Sequence, residues 1–189
     1  GGMCYSFESP KVFDKLLLPA DSDYRKTVTI SNPLGEDFSI MRTISLNGML
    51  TSLATNANRK NKVAKLYEFG NVYLPKALPL TELPEERMKL TIGMYGDGDF
   101  FDLKGVLEEL TDKLGLKGQC TYVPTTEYPF LHPGRQAKIV KGDELIGVIG
   151  QVHPEVCDNY SFKAEAYVAI IDMPTLVELS SFDIKYEAI

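Results

Sequence analysis

The stretch FLHPGRQA, Phe130 to Ala137, holds one of the two histidines in this chain of 189 residues, three positions before an arginine. Pro133-Gly134 between them favours a tight turn, which fixes where His132 and Arg135 project. A guanidinium held that way can grip a carboxylate or phosphate through two parallel hydrogen bonds. It can equally pair with an acidic residue of its own fold or of a partner subunit. The stretch by itself is compatible with all three. The other histidine, His153, also precedes a proline, with Glu155 close by. Two histidines without nearby carboxylate or thiolate partners make a poor metal set. His153-Pro154-Glu155 reads more simply as the start of a short helix reaching Tyr160.

Other chemistry-bearing groups fare no better. Asp97-Gly98-Asp99 lacks the ligand series and closing glutamate of a calcium loop, so it reads as a turn. Glu108, Glu109 and Asp112 lie off the apolar stripe of a helical pattern and read as a solvated face. Cys4, Cys120 and Cys157 are far apart and form no CxxC, which suits free thiols in a reducing cytosol. There is no GxSxG and no GxxxxGK[ST]. Gly147-Val148-Ile149-Gly150 lies in a strand-like run and lacks dinucleotide-binding spacing. The net charge of −6 argues against broad electrostatic binding of nucleic acid. The densest basic run, Asn58-Arg59-Lys60-Asn61-Lys62, follows a helical pattern, where cations suit a C-terminus. No apolar run is long enough to span a membrane. No signal-peptide pattern opens the chain, and Gly1-Gly2 reads as a remnant or an excised boundary.

The elements that must position these groups follow from periodicity. Met3 to Phe7 reads as a strand, and Ser9-Pro10 opens a short helix to about Leu16. Thr27 to Ile30 is a strand, and Asn32-Pro33-Leu34-Gly35 a turn. Leu46, Met49, Leu50, Leu53, Ala54 and Ala57 recur at helical spacing. Gly48 inside that helix costs about 1 kcal/mol relative to alanine, and reads equally as room for the close approach of a neighbour or as a tolerated glycine. Lys65 to Tyr73 is a strand with apolar residues on both faces, so both are expected to be covered. Pro75 to Pro84 is a loop, and Lys89 to Tyr95 a further strand. Leu103, Val106, Leu107, Leu110 and Leu114 mark a second helix, capped by Asp102 and closed by Gly115. Gln119 to Val123, Ala137 to Lys141, Leu145 to Val152 and Ala166 to Ile171 are strands, with a hairpin at Lys141 to Glu144. Met173-Pro174 opens a last helix to Leu179. Strands and helices do not alternate strictly, which predicts an antiparallel α+β fold.

Six stretches together resemble one family. They are CYSFESPKVFDKL, NPLGEDFSIMRTISLNGMLTSLATNANRKN, VAKLYEFGNVYLP, FFDLKGVLEEL, FLHPGRQA and IGVIGQVHPEV. In that order and spacing they resemble the β subunit of bacterial-type phenylalanyl-tRNA synthetase, in its catalytic-like region. The resemblance implies one class II synthetase-like domain over 1–189, an antiparallel sheet flanked by helices. It implies that 180–189 begin a linker to a C-terminal anticodon-binding domain.

It also implies a cytoplasmic phenylalanine–tRNA ligase, an (αβ)2 heterotetramer. That assembly uses ATP and Mg2+ and reaches tRNA(Phe) as a whole. Within it this domain would hold no cofactor of its own and would scaffold the catalytic α subunit. Active class II domains hold ATP phosphate with arginines from two motifs. The GxGxGxxR pattern is absent here, and no RxE pair accompanies Glu68 on its strand. No catalytic, substrate or metal residue is therefore expected. Arg25 and Arg87 fall in connector-like stretches, and Arg42 falls at a helix start. The interface or structural candidates are Arg42, Gly48, Met49, Glu68, His132, Arg135 and His153. His132 is expected to anchor a rigid turn between strands, and Arg135 to hold a carboxylate within the assembly. The excised domain is also expected to self-associate through orphaned apolar surface. Two rival readings are an RNA-binding module using Arg59 to Lys62 and an orphan adenylate-forming enzyme.

Overall fold

The computed structural model describes residues 7–31, 38–76 and 83–180. The expected strand at Met3 to Phe7 therefore falls mostly outside the described residues, as does the turn at Asn32 to Gly35. A small sheet comprises Phe7–Glu8 (β1), Thr29–Ser31 (β2) and Phe38–Met41 (β3), in the order β1-β3-β2. The main sheet comprises Ala64–Leu74 (β4), Glu85–Tyr95 (β5), Thr121–Pro124 (β6), Leu131–Lys141 (β7), Glu144–Val152 (β8) and Ala166–Asp172 (β9). Its order is β4-β5-β9-β8-β7-β6, and every pair is antiparallel. The helices are Val12–Lys15 (α1), Leu46–Asn58 (α2), Phe100–Lys113 (α3), Pro154–Asn159 (α4) and Met173–Leu179 (α5). The expected α+β architecture is the one observed.

Strand β9 runs AYVAIID and is buried along its whole length. Side chains alternate across a strand, so it feeds two cores. Val168 and Ile170 join α2 through Leu46, Leu50 and Leu53, while Ala169 and Ile171 join α3 and α5 through Leu103, Leu107 and Leu176. Each fully buried leucine contributes about 1.5–3 kcal/mol. Helix α2 approaches β5 at Gly93, where a Cβ would lie 2.7 Å from the Met49 sulfur. Met49 is 2 % exposed. It supports the helix from beneath and offers nothing to a partner's surface.

Several local expectations are revised. Helix α2 starts at Leu46, so Arg42 stands on the connection after β3 rather than at a helix start. Helix α3 is capped by Asp99, and Asp102 completes the box three residues on. Helix α3 begins at Phe100, three residues before the apolar stripe starts at Leu103. Val106 is exposed, and Thr111 is buried in its stead with its hydroxyl on Leu107 O. Arg87 belongs to β5, not to a connector. The basic run after α2 closes the helix, with Lys60 at φ 63°, and Tyr95 Oη donates to Asn61 O. One correction bears on function. Tyr67 and Phe69 are 74 % and 54 % exposed, so the second face of β4 is open at these positions, while Tyr73 further along it is buried.

Candidate functional site

Three of the candidate residues converge. Arg42, Gly48 and Glu68 line a cleft of about 440 Å³, together with Glu8, Asn47 and Ser52. Each comes from a different element: β1 brings Glu8, the β3–α2 connection brings Arg42, the first turn of α2 brings Asn47 and Gly48, and β4 brings Glu68. Glu68 Oε2 would be 3.6 Å from a Cβ at position 48, an ordinary contact distance, so Gly48 and Glu68 face each other across the cleft. Arg42 is 6 % exposed. Its Nε donates to Asn71 O at 2.6 Å, and its own carbonyl accepts from Tyr73 N at 2.8 Å. Its guanidinium fills the space above Gly70. Arg42 thus clamps the outer edge of β4.

Glu8, which sequence reasoning did not single out, is the electrostatic oddity of this cleft. Burial pushes its carboxyl up to about 7, Glu68 adds to the rise, and Asn47 and Arg42 oppose it only in part. Asn47 also accepts from Tyr160 Oη at 2.5 Å, which ties the cleft to the end of α4. A two-residue strand gives no periodic signal, so the half-buried Glu8 was invisible to sequence reasoning.

A second cluster sits on the same sheet face. Asp172 ends β9 and caps α5, accepting from Thr175 N at 3.2 Å. Arg87 meets it through Nε at 2.9 Å and again through Nη2, and Lys89 Nζ lies 3.0 Å away. Glu85 takes Arg87 Nη1 at 2.8 Å. Burial alone would raise the Asp172 carboxyl, but bonds from Arg87, Thr175 and Lys89 outweigh it and hold the group well below the usual range. Arg87, Lys89, Asp172 and Thr175 line a cleft of about 390 Å³ together with Tyr24, Ser45 and Tyr128. Every nitrogen of Arg87 already has a carboxylate acceptor. The fork that would grip a phosphate is closed by the protein's own acids. The cap at Asp172 was legible from its place before Met173-Pro174. The Arg87 partnership was not, because 85 residues separate the two.

The FLHPGRQA stretch lies elsewhere and is not a turn between strands. His132 to Gln136 belong to β7, where the register with β8 slips between Leu131 and Gln136. His132 Nδ1 accepts from Gly134 N at 3.0 Å and so braces the bulge. Arg135 Nη1 donates to the amide oxygen of Gln151 at 2.7 Å. Within this chain the bonded partner of Arg135 is thus a neutral amide and not a carboxylate. Arg135 lines a cleft of about 560 Å³ with Phe101, Lys104, Tyr122 and Tyr167. The residue that holds the bulge is Gln136, 5 % exposed. Its Oε1 accepts from Tyr128 N at 3.0 Å, and its Nε2 faces the carbonyls of Tyr128, Leu131 and His132. His153 caps α4, its Nδ1 accepting from Glu155 N at 3.1 Å. Both histidines are thus engaged with local backbone. Among the described residues, no three His, Cys, Asp or Glu side chains gather as a metal set.

Comparison with known proteins places this geometry. Residues 2–173 match the model of the phenylalanyl tRNA synthetase beta chain CLM domain. The chain is 49% identical over 185 residues to the phenylalanine–tRNA ligase beta subunit of Clostridium acetobutylicum, covering 98% of this chain and 23% of that protein. It is 44% identical to the corresponding subunit of Clostridium tetani, with the same coverage of each. The chain therefore spans about a quarter of the length of these relatives. Among solved structures, pyrrolysyl-tRNA synthetase from Desulfitobacterium hafniense superposes with a TM-score of 0.71 at 12% identity, covering 91% of this chain and 60% of that one. That likeness concerns the fold, which is that of a class II synthetase. With the antiparallel sheet, the closed Arg87 fork and these matches together, the chain belongs to the family of phenylalanyl-tRNA synthetase β chain CLM domains.

Proposed function

We propose that this chain is the class II-like part of the β subunit of a phenylalanine–tRNA ligase, and that it scaffolds a catalytic α subunit instead of forming an adenylate itself. On this reading the cytoplasmic (αβ)2 holoenzyme joins phenylalanine to tRNA(Phe). ATP and Mg2+ are handled by the α subunit. The observation that carries the scaffold role is the employment of Arg87, Arg42 and Arg25; Arg135 on β7 stays exposed, with Gln151 as its one bonded partner among the described residues. Adenylate formation needs guanidinium groups free to receive phosphate. Arg87 is spent on Asp172 and Glu85, and Arg42 is buried against Asn71. Arg25 is spent on Asp14 and on the carbonyls of Leu18 and Pro19. The Arg42–Gly48–Glu68 cleft and the Arg135 cleft are the candidate contact surfaces.

Titration calorimetry tests this directly. ATP and phenylalanine should each give no saturable heat with the chain, whereas purified α subunit should bind it. Saturable heat from ATP, or ATP–pyrophosphate exchange by the chain alone, would overturn the scaffold role. Salt-dependent retention of tRNA by the chain would point to Arg59, Lys60 and Lys62 as an RNA contact.

A further inference from the structure

The outer edge of β4 is divided into two parts. Tyr73 N donates to Arg42 O, and Asn71 O accepts from Arg42 Nε. The backbone groups of these odd-numbered residues therefore point away from β5. A residue's N–H and C=O lie on the same side of a strand and alternate along it. Lys65, Tyr67 and Phe69 thus point their backbone groups outward as well. Among the described residues, no hydrogen bond occupies the outward groups of these three. Arg42 closes the ladder at positions 71 and 73 and leaves it open from 65 to 69.

That open ledge lacks two of the usual protections of an edge strand, a bulge and a proline. Strand β4 pairs with β5 through eleven unbroken register steps, with no bulge and no proline. The side chains of Tyr67 and Phe69 stand on the exposed face, their rings edge to face at 6.3 Å. Lys65 is the one charge on that face of the ledge.

We propose that this ledge is a strand-pairing surface, and that its occupant is a second copy of the chain, antiparallel about a two-fold axis through Tyr67. Register selects that axis. Outward groups must face outward groups, so opposed residues are both odd-numbered. An axis through Leu66 would set Phe69 against Val63, before β4 begins, and one through Glu68 would set Lys65 against Asn71, whose carbonyl Arg42 holds. Through Phe69, it would set Tyr67 against Asn71, whose carbonyl Arg42 already holds. Through Lys65, it would set Phe69 against Asn61, before β4 begins at Ala64. Through Tyr67, the two tyrosines oppose each other and Lys65 faces Phe69 of the second copy. An ammonium over an aromatic face is attractive. The contact is isologous, as closed dimers require, and it joins the two sheets into one. This inference does not depend on the scaffold reading.

Sedimentation equilibrium of the chain under reducing conditions, with site-resolved amide exchange, tests it. The expected result is a concentration-dependent dimer in which the amides of Lys65, Tyr67 and Phe69 gain protection. Those of Leu66 and Glu68, which face β5, should be protected at every concentration and report that the fold is intact. Phe69→Lys should weaken the dimer at least tenfold by opposing two lysines. Opposed residues of a bonded pair have Cα atoms about 5.5 Å apart, within disulfide reach. Tyr67→Cys should therefore form a covalent dimer on oxidation beyond that of the parent, while Lys65→Cys alone should not. A chain monomeric at millimolar concentration would overturn the proposal. So would a dimer that leaves the three outward amides unprotected, or a ledge protected only when a different extended peptide is supplied.

Discussion

Arg42 and Gly70 occupy one space between them: a Cβ at position 70 would fall inside the Arg42 guanidinium, with Cζ 3.1 Å away. The glycine is what lets a buried cation lie flat on a strand and clamp its edge.

Gly70→Ala is accordingly expected to displace Arg42, break its bond to Asn71 O and destabilise the fold by at least about 2 kcal/mol. Gly105→Ala is the contrast. A Cβ there meets nothing within 4 Å on α3, so the same chemical change should stabilise by roughly 0.5–1 kcal/mol. Urea unfolding of both variants checks the opposite signs.

Asp172→Asn should cost about 2–4 kcal/mol at pH 7, because it leaves Arg87 and Lys89 facing a neutral group in a part-buried site. The Asp172 carboxyl is held below its ordinary value. Its contribution is therefore present above the unfolded-chain value near about 4 and is lost as pH falls. The gap between parent and variant should narrow below that pH, as thermal melts across an acid series would show.

Glu8 has the opposite sign. Its carboxyl is raised to about 7 in the folded chain, so the folded state holds a proton that the unfolded state has released. Its contribution is full below about pH 4.5 and declines as pH rises through 7, by on the order of 2–3 kcal/mol. Glu8→Gln should match the parent near pH 4 and exceed it in stability at pH 8. An equal pH slope in both proteins would contradict the burial of this group.

Within FLHPGRQA the stabilising residue should be Gln136. Gln136→Leu strands the Tyr128 amide and the carbonyls around the bulge, at a cost of about 2–4 kcal/mol. Arg135→Ala removes an exposed side chain bonded to one neutral group and should change stability by less than about 1 kcal/mol. Denaturation of the two variants would order them. A larger loss in the arginine variant would return the weight to the guanidinium.

Local information in the sequence determined a good deal of this protein. Helical spacing located α2 and α3, proline located the starts of α4 and α5, and alternation with the Lys141–Glu144 hairpin located β8, β9 and the second half of β7. Six stretches in order were enough to identify the family. Each of these signals acts within a few turns or a few residues, where side-chain periodicity and capping operate. The tertiary structure decided what the polar groups do. Arg87 finds Asp172, Arg42 finds Asn71, and Arg135 finds Gln151 because strand order and register bring distant positions together. No local pattern encodes that order. The same cause left the second face of β4 open at Tyr67 and Phe69: alternation shows that they share a face, but only the packing of the helices against the other strands leaves them uncovered.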